Sequence, residues 1–519
     1  MSRQEKGIKN VTVTLIFYLI SMLLAFFSRK IFIDYLGENI VGLNTTIVNI
    51  LGFLNLAELG VTSAIATALY KPLYRQDKEA ISDIISIFNY LYHIIGYVIL
   101  GIGIVIIFFL PTFFEGKGID MPYIYLAYFV FLSTNLVSYF ISYKQILLTA
   151  DQRDYVIVTW TKIFNIVKVI CQIVALRFLD FGYIVWLGIE FIFGISYGFW
   201  INGQVTKIYP WLKSDFLRGK TVCKEYKDMF VKIKQIIPHR LSGFVLSQTG
   251  NIILFAVTSS FAIVTLYNNY LILIGSITLM FVVASNGLYA GVGNLIAEGN
   301  KETIKALFFE LTSFYFYIGG VIVICLIFLT EPFIELWLGK QYVVDPVIFY
   351  LILFNSSITI FRLPVELFLN GYILYKDTWA PITEAILNLT ISIGLGYKFG
   401  LIGVVLGTTV SLGAIVCIWR PIFLHRCGFK ERIFPYWKKI ALYLTLMVIS
   451  FLVVKGCASL FIGYPYSNYY YFFVNGFLIF LTTVIVYGGL LYLFSKGMRR
   501  MIHKLFQLIK NKFVRCYTR

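Results

Sequence analysis

The sequence predicts an all-α integral membrane protein with about 14 transmembrane helices, arranged as two pseudo-symmetric six-helix lobes followed by two C-terminal helices. First, 59% of the 519 residues are hydrophobic and only 13% are charged, against about 25% charged residues in ordinary globular chains. Second, apolar runs of about 18 to 25 residues recur along the whole chain, each long enough to cross a bilayer as a helix. Third, the basic residues concentrate in alternate connections between these runs.

The apolar runs define the expected spans. They cover residues 11–32, 41–69, 84–109, 123–148, 155–176, 184–203, 241–257, 264–295, 306–329, 347–368, 379–395, 401–418, 440–461 and 470–493. The first run is interpreted as a span and not as a cleaved signal peptide, because no small-x-small cleavage site follows it and similar runs come after it.

The distribution of basic residues predicts the orientation. The charge-rich connections hold Arg3, Lys6, Lys9, Lys71, Arg75, Lys78, Lys144, Arg153, the cluster at 207–240, Lys301, Lys305, Lys376, the stretch 420–439 and the tail. The opposite set holds only Arg29, Lys30, Lys117, Arg177, Lys340, Lys398 and Lys455. Because lysine and arginine are retained on the cytoplasmic side, both termini are expected there, in a multi-pass protein of a bacterial cytoplasmic membrane.

Two observations predict the division into lobes. Val41, Leu43 and Gly52 align at one constant offset with Val264, Leu266 and Gly275, as in a weak internal repeat. A long basic connection also separates two sets of six spans, and in transporters built this way the substrate pathway lies between the lobes. The expected parts are an N-lobe (1–206), a basic cytoplasmic linker (207–238), a C-lobe (239–426), two further helices (427–495) and a basic amphipathic tail lying on anionic lipid (496–519).

Polar side chains inside the spans predict a cavity. Asn355, Arg362 and Glu366 lie on one face of the tenth span, and Asn44 and Glu58 lie on one face of the second. Placing an ionisable group in contact with lipid costs at least about 2.5 kcal/mol of free energy, so such groups are expected to face a common polar cavity. The expected substrate-binding residues are Arg29, Lys162, Lys168, Arg240, Arg362, Asn44, Asn251 and Asn355. Since cations outnumber acids there, an anion such as a phosphate or an acidic sugar is the expected cargo.

Four carboxylates are candidates for coupling transport to H+ or Na+. They are Glu58, Glu366, Glu190 and Glu384, with Glu58 and Glu366 ranked first. The alternative is internal pairing, of Arg362 with Glu366 one turn away and of Lys162 or Lys168 with Glu190 on the next helix. Lys162 and Arg240 also lie near enough to the predicted cytoplasmic surface for their ammonium and guanidinium groups to reach it.

Motifs for other chemistry are absent from the sequence. Gly219, Lys220 and Thr221 resemble the end of a phosphate-binding loop, but Ser214 occupies the position of the required first glycine. The seven cysteines include no CxxC, and the four histidines form no metal-binding or catalytic pattern. The net charge of +18 follows the topology and forms no stripe with stacking aromatics. We therefore expect no cofactor, no metal, no nucleic-acid partner and no enzymatic activity.

Two stretches carry a family resemblance. One runs from Val41-Gly42-Leu43-Asn44 through Leu56-Ala57-Glu58-Leu59-Gly60 to Ser63-Ala64. The other is Leu241-Ser242-Gly243-Phe244-Val245-Leu246 with Asn251-Ile252-Ile253 and Leu266-Tyr267-Asn268-Asn269-Tyr270. With them the chain resembles, over nearly its whole length, the polysaccharide-type flippases of the multidrug/oligosaccharidyl-lipid/polysaccharide exporter superfamily. Gly250 stands where an acidic residue is expected in this family.

The resemblance implies translocation of undecaprenyl-diphosphate-linked oligosaccharide units by alternating access, for capsule, O-antigen or a related polysaccharide. It also implies a polysaccharide polymerase and a chain-length regulator as partners, and a lateral groove for the lipid tail formed by the helices after Ile440.

Four alternatives remain open at the level of sequence. A peptidoglycan lipid-precursor flippase of the same superfamily shares the helix count and a cationic cavity. A drug or metabolite antiporter would favour an acidic cavity. A polysaccharide polymerase would need a large external loop, whereas the longest polar connection here is predicted to be cytoplasmic. A scaffold protein would not explain polar faces on several helices.

Overall fold

The computed structural model of the chain describes residues 3–58, 61–179, 182–223, 226, 249–285, 288–372, 374, 377–461, 468–504 and 507. Within these ranges every regular element is helical. The first half contains α1 (Arg3–Leu54), α2 (Val61–Arg75), α3 (Lys78–Phe114), α4 (Met121–Phe140), α5 (Ile146–Ala150), α6 (Asp154–Phe178), α7 (Gly182–Ile208), α8 (Phe216–Val222) and α9 (Thr249–Thr258). Short 3₁₀ turns at Asn55–Glu58 and Ser142–Gln145 join some of them.

The second half of the chain contains the remaining helices. They are α10 (Phe261–Ser285), α11 (Tyr289–Glu298), α12 (Lys301–Trp337), α13 (Pro346–Phe361), α14 (Leu363–Gly371), α15 (Trp379–Phe399), α16 (Leu401–Ser411), α17 (Arg420–Phe423), α18 (Phe434–Phe461) and α19 (Tyr469–Phe494). Two π-helical segments, Leu412–Trp419 and Leu424–Phe429, flank α17, so that residues 401–429 form one continuous helical run.

The helices confirm the predicted fold class, an all-α multi-span membrane protein. Eleven helical segments in the described residues are long and apolar enough to cross a membrane. One of them, Thr12–Leu54, has 43 residues and would measure about 65 Å as a straight helix, twice the hydrocarbon thickness. Gly37 interrupts it with a φ of 80°, between the first two predicted spans. The predicted seventh and eleventh spans correspond to α9 and α15, which the count of eleven leaves out.

Large apolar side chains cover much of the outer surface. Phe108 is 77% exposed, Phe178 73% and Leu493 65%. A water-soluble protein rarely exposes so many large apolar groups together, whereas lipid accepts them without a free-energy cost. The exposed faces of the helices are therefore suited to a bilayer.

The chain packs into two compact units. Unit 1 comprises residues 1–269 and 381–408, and unit 2 comprises residues 270–380 and 409–519. The division into five parts that the sequence suggests stays a prediction.

In unit 1, two close approaches fix the helices. A Cβ on Gly42 of α1 would lie 2.2 Å from the backbone oxygen of Phe261, and one on Gly219 of α8 would lie 2.0 Å from that of Ser86. Asp215 caps α8 by accepting from the backbone N–H of Leu217 at 2.6 Å. The beginning of the predicted basic linker thus packs against α3 as a short helix, while residues 227–248 lie outside the described part of the chain.

In unit 2, α12 packs against α18 and α19. The phenyl rings of Phe316 and Phe361 stack with centroids 4.4 Å apart, and Tyr487 fills the space over Gly320. The first part of the predicted tail, residues 496–504, is helical and packs on α12. There Lys504 donates to the buried carboxylate of Glu310 at 2.6 Å. The expectation that the tail lies on anionic lipid stays a prediction.

Candidate functional site

The predicted tenth span is interrupted at its polar centre. The span consists of α13 and α14, which meet at Arg362. Pro364 stands in the first turn of α14, where its missing N–H leaves no hydrogen bond unmade. Glu366 follows one turn later, and its carboxylate lies 3.3 Å from Nε of Arg362. The pairing alternative for Arg362 is confirmed.

Glu366 also binds a second guanidinium. Nη1 of Arg420, at the start of α17, donates to Oε1 of Glu366 at 2.7 Å. The sequence assigned Arg420 to a cytoplasmic connection, because it follows an apolar run. In the structure the helical run continues past it, with a π-helical segment on either side. Such wide turns are often found at functional sites.

Together these three side chains form a half-buried cluster of two cations and one anion. Their exposed fractions are 28% for Arg362, 18% for Glu366 and 24% for Arg420. Tyr289 lies beside the cluster, within electrostatic reach of Glu366 and Arg362, and its hydroxyl is hydrogen-bonded to Asn370. The cluster keeps one positive charge in excess.

Arg362 faces a cavity of about 420 Å³ inside unit 2. The other walls are largely apolar side chains of α12, α13, the first π segment and α18, among them Phe361, Trp437, Ile440 and Met447. We call this cavity the apolar groove. Its volume lies in the range of about 300 to 1,000 Å³ that is typical of ligand sites. It offers a hydrocarbon-like surface beside one guanidinium group.

A second polar cluster lies in unit 1 around Glu58. The carboxylate accepts from the hydroxyl of Thr62 at 2.6 Å and from that of Tyr139 at 2.9 Å, and it also forms a short hydrogen bond with the hydroxyl of Tyr92. Asn55 joins the cluster by accepting from the hydroxyl of Tyr139 at 2.9 Å. Four elements meet here: the 3₁₀ turn, α2, α3 and α4.

Lys168 and Glu190 form an ion pair between α6 and α7. Nζ of Lys168 lies 2.7 Å from Oε1 of Glu190, and the amide of Gln172 donates to Oε2 at 2.9 Å. The pairing alternative is thus confirmed for Lys168. Lys162 lies on the same helix two turns earlier and is half-buried, with no ion pair to an acid of the described residues.

Arg29 is held by the first part of α10, residues 261–269, which belongs to the same unit. Its Nε donates to Oδ1 of Asn269 at 2.7 Å and its Nη2 donates to the backbone oxygen of Thr265 at 3.2 Å. Both acceptors are uncharged, so neither of them neutralises the positive charge of Arg29.

The remaining candidates are distributed over other helices. Asn44 accepts from the hydroxyl of Tyr183 at 2.8 Å, and Asn251 exchanges hydrogen bonds with Asn268 at 3.0 and 3.4 Å. Asn355 is half-buried on α13. Arg240 lies outside the described residues. The structure therefore joins Arg362 with Glu366, and Lys168 with Glu190, but these two pairs lie in different units.

Glu384 begins a buried polar stripe on α15. It is 2% exposed, and Asn388 and Ser392, one and two turns later, are 4% and 1% exposed. The amide of Asn388 donates to Thr408 at 3.1 Å and the hydroxyl of Ser392 donates to the backbone oxygen of Val404 at 3.0 Å. This stripe holds α15 against α16. No cluster of three or more metal-ligating side chains occurs in the described ranges.

Sequence reasoning missed three side chains that bind the predicted carboxylates: Arg420, Tyr92 and Tyr139. Arg420 could have been included, since an arginine directly before Pro421 can still belong to the first turn of a helix. Tyr92 and Tyr139 carried little signal, because the chain has 37 tyrosines and the hydroxyls that meet Glu58 come from distant helices.

Comparison with solved structures identifies the fold. The chain is similar to a lipid II flippase, MurJ, in an inward closed conformation, with a TM-score of 0.67 and 18% identity over 93% of this chain and 99% of that one. It is also similar to an inward-facing multidrug resistance transporter of the MATE family in the MOP superfamily, with a TM-score of 0.58 and 14% identity over 81% of this chain and 99% of that one. No family model and no curated protein matches the sequence. The chain thus has the fold of these multi-span membrane transporters.

Proposed function

We propose that this protein is a flippase that moves undecaprenyl-diphosphate-linked oligosaccharide units across the cytoplasmic membrane by alternating access. The observation that carries the proposal is the apolar groove with Arg362 in its wall. An isoprenoid lipid linked through a diphosphate has a long apolar part joined to a compact anion. The groove presents a surface for each.

The apolar part of the cargo fits the walls of the groove. α18 contributes Trp437, Ile440 and Met447 to them, in agreement with the lipid-tail groove that the family resemblance implies for the helices after Ile440. Burying apolar surface contributes about 25 cal/mol per Å² when the alternative is water. In a bilayer that gain is small, so the walls favour the tail mainly by shape and packing.

The charged part of the cargo fits the cluster behind the groove. Arg362 and Arg420 share the single carboxylate of Glu366, which leaves one positive charge in excess. A guanidinium binds phosphate oxygens in a bidentate manner, and such charge-assisted hydrogen bonds are about twice as strong as neutral ones. The diphosphate is therefore held by Arg362 while Arg420 stays paired with Glu366.

Glu58 is the proposed coupling site, and its geometry favours a proton. Three oxygens, those of Glu58, Thr62 and Tyr92, lie within hydrogen-bond distance of one another. A hydroxyl can donate to a charged carboxylate and accept from a protonated one, so these neighbours suit a carboxyl group that exchanges a proton. We propose that Glu58 does so as the protein changes conformation, with no cofactor needed.

A leaflet assay tests the proposed function. Proteoliposomes carry a fluorescent undecaprenyl-diphosphate oligosaccharide, and dithionite bleaches only the label in the outer leaflet. With active protein the bleachable fraction rises from about one half towards the total, while protein-free liposomes stay at one half.

The Arg362→Ala variant is expected to slow this rise about 10- to 100-fold, the equivalent of one hydrogen bond to a charged group. The matched variant Arg177→Ala, at an exposed position of α6, keeps the wild-type rate. Equal rates with and without protein contradict the proposal.

A second candidate is a lipid II flippase. It is favoured by the similarity to the lipid II flippase MurJ over almost the full length of both chains. The same assay separates the two candidates when lipid II and an undecaprenyl-diphosphate oligosaccharide are compared in parallel. Faster movement of the oligosaccharide supports the first proposal, and faster movement of lipid II supports the second.

A further inference from the structure

A second cavity in unit 2 lies at the beginning of α12 and is separate from the apolar groove. Its volume is about 360 Å³, and none of its lining residues lines the apolar groove. Three lysines stand on its walls, Lys301 and Lys305 in the first turns of α12 and Lys430 after the second π segment. The apolar part of the wall consists of Ile296, Ile304, Tyr372 and Phe429. We call this cavity the lysine pocket.

The charge in the lysine pocket is positive. Glu431 is the one acid among the lining residues and forms an ion pair with Lys305. Lys301 and Lys430 therefore have no counter-charge among the residues of the wall. Lys439 lies within electrostatic reach of Lys305, Arg500 and Lys496, so further positive charge is present in this region. An anion entering here meets an attractive potential.

The backbone holds Lys430 in place. Its φ is +55°, in the left-handed region, where a residue with a side chain costs of order 1 kcal/mol. The N–H of the next residue, Glu431, donates to the backbone oxygen of His425 at 3.0 Å, and this fixes the turn. This turn places Lys430 in the wall of the lysine pocket, together with Lys301 and Lys305.

We propose that the lysine pocket binds the headgroup of an acidic phospholipid. The charge pattern of the sequence predicts that both walls lie on the cytoplasmic face, where acidic lipids attract basic residues at helix ends. Lys301 and Lys430 bind the phosphate, and the apolar side chains Ile304 and Phe429 contact the glycerol and the first methylene groups. Free phosphate has the same charge but would leave this apolar wall unfilled.

Cys427 provides a probe of occupancy. Its thiol lines the lysine pocket and is exposed. The full-length protein with Cys427 as its only cysteine is placed in nanodiscs of phosphatidylcholine, either alone or with phosphatidylglycerol. The rate of maleimide labelling is then measured. We expect phosphatidylglycerol to slow labelling, because the bound headgroup covers the thiol.

The triple variant Lys301→Gln, Lys305→Gln, Lys430→Gln tests the cause. Each lysine contributes about fivefold to the affinity for an acidic surface, so the triple variant would need about 100-fold more phosphatidylglycerol for the same protection. It is therefore expected to be labelled at the same rate in both lipids. A matched triple variant at Lys340, Lys398 and Lys455, from the opposite set of connections, keeps the protection. Phosphatidylglycerol also changes the surface potential and so the labelling rate of any thiol. This effect is the same for every variant, so the ratio of the rates in the two lipids is compared between variants.

Three outcomes overturn the proposal. One is equal labelling in both lipids. Another is protection that survives in the lysine-pocket triple variant while its melting temperature equals that of the parent. The third is full protection by inorganic phosphate in phosphatidylcholine alone, which would assign the pocket to a soluble anion. The proposal is supported if phosphatidylglycerol no longer slows labelling in the lysine-pocket triple variant but still slows it in the matched triple variant.

Discussion

Nη1 of Arg420 lies 2.7 Å from Oε1 of Glu366. The same carboxylate oxygen lies 3.3 Å from Nε of Arg362. One carboxylate thus holds two guanidinium groups from different helical segments, α17 and the junction of α13 and α14. Because Arg420 is the nearer partner, Arg362 is the one available to an anion in the apolar groove.

Replacement of Glu366 by Gln is expected to destabilise the protein. Two half-buried guanidinium groups would then lie close together with no carboxylate between them, and the loss of one partner of a buried ion pair costs about 3 kcal/mol. Thermal unfolding in detergent measures the effect. Glu335→Gln, at an exposed position of α12, is the matched control and should unfold like the wild type. The double variant Glu366→Gln, Arg420→Gln should be more stable than the sum of the single changes predicts; strict additivity would show that the pair has no net interaction.

The Glu58→Gln variant is expected to fold and to lose the response of transport to a pH gradient. A glutamine amide donates hydrogen bonds to Thr62 or Tyr92 as a protonated carboxyl does, but it exchanges no proton. Infrared difference spectroscopy provides a second readout, since the band of a protonated carboxyl should disappear in this variant and persist in Glu335→Gln. A wild-type protein whose transport rate is the same with and without a pH gradient would rule out the role of Glu58.

Gly219→Ala is expected to displace α8 from α3. The new Cβ would lie 2.0 Å from the backbone oxygen of Ser86, and overpacking of this kind costs about 1 to 3 kcal/mol. Gly188→Ala on α7 is the matched control, since nothing lies within 4 Å of its Cβ position. Proteolysis of the connection after α8 should become faster in Gly219→Ala alone. Equal proteolysis of the two variants would mean that α8 is not docked as described.

Lys144→Met is expected to raise stability at neutral pH. Burial lowers the pKa of Lys144, which lies in the 3₁₀ turn between α4 and α5. The folded state therefore binds its proton less tightly than the unfolded state, and wild-type stability rises as the pH increases through the folded-state pKa. The advantage of Lys144→Met should shrink as the pH is raised towards the ordinary lysine value. The exposed substitution Lys71→Met should change melting temperature little at any pH, and a pH-independent effect of Lys144→Met would refute the assignment.

The fold was largely predictable from the sequence because lipid imposes a simple rule, one apolar run for each crossing. The polar residues within spans also carried local information. Glu366 follows Arg362 by four residues, so a helix brings the two together whatever the rest of the fold does.

The remaining contacts depend on packing between distant segments. Tyr139 and Glu58 are 81 positions apart, and their hydrogen bond exists because α4 packs beside the 3₁₀ turn. Arg420 was placed in a connection because an apolar run ends before it. A π-helical segment extends that run, and a hydropathy pattern does not reveal a π turn.

The most direct test of the central claim is site-specific photocrosslinking on α18. A photoreactive amino acid replaces Met447, which lines the apolar groove, or its neighbour Val448, which is 54% exposed and absent from the groove wall. The account predicts that a radiolabelled undecaprenyl-diphosphate oligosaccharide crosslinks at position 447, much less at 448, and that Arg362→Ala abolishes the difference. Equal crosslinking at both positions, or crosslinking at 447 that does not depend on Arg362, would contradict it.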